Sequence, residues 1–306
     1  MSKYKISKEY KILRLLTFPI VKIFLPIAEL ILGLLVKIPH GDKEVKVTKV
    51  RIPTTDNNTI DALLYEPYKC EKNPPFLFYC HGGGFIYKAA PYHYRLIKEY
   101  AKRTNCKVMA VDYRTSPKHS HLRMMKDCYD TLRWTVYNCE FLKIDINRTV
   151  IAGDSAGGNL AAALAVYAQE EELLKPAGQM LLYPVLDKRM KTESMKKYTH
   201  TPVWNAKLNK KMWELCPGNE EDNKYASPAE YSDLSIMPET YIETAEYDCL
   251  HDEGTEYAQR LRESGVKVTL NETKGTVHGF DMIKHSKTTK ECVNQRIKFL
   301  NSIYEK

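Results

Sequence analysis

The chain has 306 residues, 43% hydrophobic and 27% charged. That is an ordinary globular composition, long enough for one large α/β core. Its net charge of +8 is uneven: residues 1–46 carry nine Lys or Arg against four Asp or Glu, so five of the eight excess positive charges lie there. The rest is close to neutral for its size, which argues against nucleic acid as a partner. The eight cysteines form no C-x-x-C pair and no zinc spacing, and no cleavable signal peptide is evident. Free, mostly buried thiols in a cytoplasmic protein are therefore expected, with no metal and no cofactor.

In chain order, residues 9–37 are rich in Leu, Ile, Val and Phe, but Lys22 and Glu29 interrupt the run. No uncharged stretch there approaches the roughly 20 residues of a membrane span. Pro19 and Pro26 predict two or three short helices rather than one. The segment reads as a cover packed on the main domain. Its charge and broad apolar face leave open an in-plane membrane contact through residues 1–45, hence a peripheral membrane location. Residues 45–54 and 60–66 alternate as strands around a turn at Asp56-Asn57-Asn58. A buried strand over 75–80 runs into His81-Gly82-Gly83-Gly84-Phe85. A helix over 91–104, a strand over 108–111 and a helix over 122–138 follow.

Next comes a β-branched strand that ends in Gly153-Asp154-Ser155-Ala156-Gly157-Gly158, followed by the alanines 161–163 and 165. Strand, tight Gly-x-Ser-x-Gly turn and helix are the context of a nucleophile elbow. Residues 179–185 form a strand, and 187–235 look irregular. A strand over 240–245, a helix over 252–264, a strand over 266–270 and a helix over 286–304 complete the chain. The alternation predicts a mostly parallel sheet with helices on both faces.

Six of the 14 glycines sit in the loops 82–84 and 153–158. The first loop follows a strand, at the sheet edge where α/β folds bind ligands. Backbone N–H groups at Gly83 and Gly84, with that of Ala156, can hold an oxyanion. No Gly-x-Gly-x-x-Gly fingerprint and no Lys-Ser/Thr follows, so a phosphate loop is set aside. Serine needs a base to act as a nucleophile at neutral pH, and His278, bracketed by Gly275 and Gly279 after the last strand, is the candidate. Of the acids that follow the 240–245 strand, Asp248 lies directly past its end and is assigned to the triad. Asp252 is assigned to capping the next helix, with Glu253 in its first turn.

The order Ser155, Asp248, His278 is that of α/β-hydrolases. On these residues the chain resembles the hormone-sensitive-lipase-like family, the arylacetamide-deacetylase and bacterial carboxylesterase group. His81-Gly82-Gly83-Gly84-Phe85 looks like its oxyanion motif, Gly153 to Asn159 like its elbow, Asp248 to Gly254 like its acid motif and His278-Gly279-Phe280 like its histidine motif. Asp112-Tyr113-Arg114 resembles the start of a further block. The chain departs from the pattern at Cys249, where proline is usual, at Thr115-Ser116-Pro117-Lys118, where Leu-Ala-Pro-Glu is common, and around Lys88, where a glycine is common.

The resemblance implies an α/β-hydrolase fold with a catalytic domain over 46–306 and a helical lid from residues 1–45 and 188–215. It implies a serine carboxylesterase for short- to medium-chain acyl esters, acting on a small-molecule ester. An amidase or deacetylase with the same triad, and a non-catalytic ligand receptor on the same fold, are the alternatives. A homodimer is the partner arrangement left open.

Overall fold

The computed structural model describes residues 4–15, 41–218 and 225–306. The expected N-terminal lid is therefore covered only at 4–15 and 41–45, and the remainder of that expectation lies outside the described residues. The strands are β1 (Val45–Pro53), β2 (Thr59–Pro67), β3 (Phe76–Cys80), β4 (Lys107–Asp112), β5 (Thr149–Asp154), β6 (Gly178–Leu182), β7 (Glu239–Tyr247) and β8 (Val268–Val277). The helices are α1 (Pro91–Thr104), α2 (His121–Tyr137), α3 (Cys139–Leu142), α4 (Ala156–Glu170), α5 (Glu193–Lys197), α6 (Ala206–Leu215), α7 (His251–Glu263) and α8 (Lys287–Tyr304).

One eight-stranded sheet has the order β1-β2-β4-β3-β5-β6-β7-β8. The β1–β2 and β2–β4 pairs are antiparallel, and every pair from β4–β3 to β7–β8 is parallel. Strands β3, β5 and β6 are buried along their whole length, as expected of parallel strands covered on both faces. Apolar cores lie on both sides of the sheet, one against α2, α4 and α7 and the other against α1 and α8.

Among the strands and helices, the structure departs most from the sequence reading at two places. The last strand was expected over 266–270, but β8 continues to Val277. It is a half-exposed edge strand, so its polar run Asn271–Gly275 carries no apolar alternation, while β7 still provides backbone partners as far as Tyr247, past a register shift. The region 187–235 was expected to be irregular, but it contains α5 and α6. Both are short and capped, by Thr192 and Asn205, and α6 buries Met212 and Trp213 under a surface of lysines that masks the period.

Residues 8–15 form a 3-10 helix that buries Tyr10 and Leu13. Ser7 donates its N–H to the Gly275 carbonyl (2.9 Å), Tyr10 bonds Thr289 (3.2 Å), and Glu9 accepts the Lys287 N–H (2.8 Å). This segment therefore docks on β8 and the start of α8. No helix among the described residues is long and apolar enough to cross a membrane. All eight cysteines are free thiols.

The C-terminal end of β5 is tied to its surroundings through Asp154, which is fully buried. Its Oδ1 accepts the Tyr79 hydroxyl (2.9 Å) and the Gly82 N–H (2.9 Å), and its Oδ2 lies 3.0 Å from His93 Nε2 and accepts the Tyr92 hydroxyl (3.3 Å). One carboxylate thus joins β3, the glycine loop, β5 and the first turn of α1. Burial works against its ionisation, but His93, Tyr79 and Gly82 outweigh it and hold the pKa at about 2. A carboxyl with a depressed folded-state pKa contributes stability that is complete above its unfolded value near 4 and is lost as pH falls through 2.

Two measurements follow from this architecture. A Cβ at Gly157 would stand 2.1 Å from the Cys80 carbonyl oxygen and 2.4 Å from that of His81, both backbone atoms. Gly157→Ala should therefore cost about 3 kcal/mol or more in urea denaturation. Gly265→Ala, at φ +82° with open space around it, should cost only about 1–2 kcal/mol. Between pH 5 and pH 2 the native chain should lose about 2 kcal/mol more stability than Asp154→Asn. Parallel stability–pH curves for the two proteins would refute the Asp154 assignment.

Candidate active site

Ser155 stands at the turn between β5 and α4 with φ 55° and ψ −120°, a region that a residue with a Cβ enters only under strain. Three backbone bonds hold it there: its N–H donates to the Leu182 carbonyl (2.8 Å), and its own carbonyl accepts from Val185 (3.0 Å) and Asn159 (3.2 Å). The turn is so tight that a Cβ on Gly153 would meet the Gly157 carbonyl at 2.2 Å. The strain aims the hydroxyl away from the sheet, and α4 presents its N-terminus beneath it.

The Ser155 Oγ lies 2.8 Å from Nε2 of His278, and Nδ1 of His278 lies 2.6 Å from Oδ2 of Asp248. The three side chains come from the ends of β5, β7 and β8, separated by 30 to 123 positions in sequence. All are buried. With Nδ1–H donated to the carboxylate, Nε2 carries the lone pair that faces the serine. The other oxygen of Asp248 accepts the Leu250 N–H (3.0 Å), which fixes the carboxylate plane.

Asp252 departs from its expected capping role. Helix α7 begins one residue earlier, with Leu250 at its N-cap and no side-chain cap. The Asp252 carboxylate accepts the Ser194 N–H (2.7 Å) and lies 2.8 Å from His251 Nδ1. Ser194 also donates its hydroxyl to the Cys249 carbonyl (2.8 Å) and accepts the Asp252 N–H (3.1 Å). Glu253, expected in a first-turn dipole role, is buried and accepts the N–H groups of Leu186 (2.7 Å) and Asp187 (3.0 Å). Burial pushes its carboxyl well above the usual range. The acid loop is thus fastened to both the root and the first helix of the 188–215 segment.

In the glycine loop, Gly83 (φ +130°) and Gly84 (φ +59°) border the cavity next to Ser155. The Gly82 N–H is committed to Asp154. His81 turns inward: Nδ1 lies 2.6 Å from the Gly82 carbonyl, and the ring stacks on Tyr113 at 4.3 Å between centroids. Burial lowers its pKa to about 3, so the ring is neutral and Nδ1 donates to the carbonyl. Lys88, where a glycine is common, bridges the loop to the end of β4 through an ion pair with Asp112 (2.9 Å) and a bond to the Tyr113 carbonyl (2.7 Å). Ala156 follows Ser155 as the first residue of α4.

The cavity beside Ser155 and His278 measures about 100 Å³. Its walls include Gly84, Val203, Trp204 and Met282. Trp204 is buried, and its indole N–H donates to Asn209 Oδ1 (3.1 Å). Its ring packs between the glycine loop and His278, 6.1 Å from the imidazole centroid. The supporting residues Tyr79, Tyr92, His93 and Trp204 were not singled out for the site from sequence. They lie on a strand, on a helix and in a connecting segment, and only packing brings them to the edge of the site.

A family model described as "alpha/beta hydrolase fold" matches residues 77–282. The chain is 31% identical over 248 residues to an ethyl acetate hydrolase of Pseudomonas putida, covering 78% of this chain and 77% of that protein. It is 29% identical over 316 residues to the arylacetamide deacetylase of Bos taurus, covering 82% and 79%. Among solved structures, a bacterial heroin esterase superposes with a TM-score of 0.88 at 28% identity, covering 98% of both chains. With the parallel sheet, the strained serine turn and the ordered motifs on which they converge, these similarities establish that the chain belongs to the hormone-sensitive-lipase-like family of α/β-hydrolases.

Proposed function

We propose that this chain is a serine carboxylesterase for short- to medium-chain acyl esters. The observation that carries the reading is the unbroken hydrogen-bonded series Ser155–His278–Asp248 beside a cavity bordered by Gly83 and Gly84. Ser155 Oγ attacks the ester carbonyl carbon while His278 Nε2 takes its proton. Backbone N–H groups of Gly83, Gly84 and Ala156 receive the oxyanion. The carbon–oxygen bond to the alcohol breaks, and His278 returns the proton to the departing oxygen. Water, deprotonated by His278, then attacks the acyl-enzyme and frees the carboxylic acid and Ser155. Asp248 keeps the imidazole in the required tautomer and stabilises its cationic form. A non-catalytic receptor would have no need of His278 within bonding distance of the serine.

The acyl group enters a cavity whose walls include the apolar side chains of Val203, Trp204 and Met282. Residues 188–215 act as lid on this reading, since Val203 and Trp204 wall the cavity. Of the other expected lid segment, residues 4–15 dock beside β8 and the start of α8. A peripheral membrane contact through residues 1–45 is a separate property that does not alter the chemistry.

With p-nitrophenyl acetate as substrate, Ser155→Ala should lose on the order of 10⁴–10⁶ in kcat with the fold intact. Asp248→Asn should lose roughly 10⁴, whereas Asp252→Asn, a contact to the lid segment, should change kcat by less than about tenfold. A dead Asp252→Asn beside an active Asp248→Asn would overturn the triad. Across p-nitrophenyl esters of increasing acyl length, Trp204→Ala should move the activity optimum to a longer chain than that of the native protein, since truncating the indole enlarges the cavity. An unchanged optimum would remove Trp204 from the acyl wall.

A further inference from the structure

Close to His278, and connected to it through Tyr183, lies a buried ionic cluster that the chemistry above does not use. Arg296 of α8, Glu243 of β7 and Asp281, in the turn that follows the histidine loop, are all completely buried. Arg296 pairs with Glu243 through Nη2 and Nε and ion-pairs with Asp281 at 2.8 Å. It also donates to the Tyr100 hydroxyl (3.0 Å). Tyr241 (2.8 Å) and Asn271 (3.1 Å) donate to Glu243, and Arg95 donates to the Asp281 backbone carbonyl (2.6 Å).

Tyr183 carries the cluster to the active site. Its hydroxyl donates to Asp281 Oδ1 (2.8 Å), and its ring meets His278 edge to face, 4.9 Å between centroids at 66°. Burial raises the phenol pKa well above its ordinary value, so it remains a donor to the carboxylate. Its backbone is pinned as well: φ is +35°, and the N–H bonds the Glu243 carbonyl (2.6 Å).

Burying one guanidinium and two carboxylates is costly, and well-packed apolar side chains often serve stability as well or better. Such a cluster does fix geometry, because each charge accepts only a narrow set of partner positions. Here the position that it fixes is that of the histidine loop. We infer that Arg296, Asp281 and Tyr183 form a brace that sets the plane of the His278 ring, and that they are positioning residues for ester hydrolysis. The inference rests on the catalytic role proposed for His278. The Asp248 and Ser155 bonds hold the two ring nitrogens but leave the ring able to turn about the line through them. The Tyr183 ring, packed edge to face against the imidazole, limits this turning, and Asp281 and Arg296 keep Tyr183 in place.

The test uses the full chain and p-nitrophenyl acetate, with active sites counted by stoichiometric phosphonylation of Ser155 with a p-nitrophenyl phosphonate. Tyr183→Phe keeps the ring and removes the hydroxyl. Per titrated site, kcat should fall about tenfold with KM unchanged, because small misplacements of a reacting group cost ten- to a hundredfold. Tyr183→Leu, which removes the ring edge, should fall about a hundredfold. The low-field proton resonance of the His278 Nδ1–Asp248 hydrogen bond should broaden in both variants. Asp281→Glu, which retains a carboxylate, should recover more kcat than Asp281→Ala. A native kcat per titrated site in Tyr183→Phe, with a native resonance, overturns the brace. So does a loss explained wholly by fewer titratable sites, since that is a stability effect. Ser155→Ala and His278→Ala are run alongside. If either remains active the triad itself fails, whereas inactivity of both with a fully active Tyr183→Phe rejects only the brace.

Discussion

The backbone at Ser155 is the constraint to which the rest of the catalytic edge is fitted. A left-handed φ on a residue with a Cβ is unfavourable by of order 1–3 kcal/mol and persists only where the surroundings over-determine it. Here they do so through the Leu182, Val185 and Asn159 backbone bonds and through carbonyls so close that Gly153 and Gly157 admit no side chain. Asp154, one residue upstream, faces the other way and gathers Tyr79, Gly82, Tyr92 and His93. The same turn that lifts the serine therefore also sets the glycine loop beside it. The hydroxyl and the loop N–H groups are held relative to each other by one buried carboxylate that four groups fix in place.

Charge is distributed unequally around the site. The cavity walls are largely apolar, with Lys88 and His93 at their border. Three buried ionic groups lie outside that lining: Asp154 at the end of β5, Glu253 at the start of α7, and the Arg296 cluster with Asp281 and Glu243. Each is anchored by several hydrogen bonds, so little reorganises when charge develops on the substrate oxygen. The chain from Leu186 to Ser194 is fastened by Glu253 and Asp252 of the acid motif. Cavity size and triad geometry are consequently linked through the first turn of α7.

Much of this was legible in the chain. The blocks around Gly82, Ser155, Asp248 and His278 occur in the order and strand contexts that their chemistry requires, and the strand–helix alternation gave the sheet class. The roles of Asp252 and Glu253 were not legible. A carboxylate at the start of a helix looks the same in sequence whether it meets its own backbone or, as Asp252 does, a residue 58 positions away. The end of β8 and the existence of α6 were hidden for a related reason. An edge strand shows a half-polar face, and a short helix under surface lysines shows too few turns to reveal a period.

By itself the sequence determined the fold family and pointed to the candidate serine with its Asp and His partners and to the glycine loop. These depend on local features: positions where only glycine fits, a serine in a strand–helix turn, and polar residues placed just past strand ends. Only the tertiary structure decided the depth of the cavity, the wall made by Trp204, the carboxylate tie at Asp154 and the pairing of Arg296 with Asp281. Those depend on which side chains a folded sheet brings within a few ångströms across separations of 15 to more than 100 residues, and no local pattern encodes such distances.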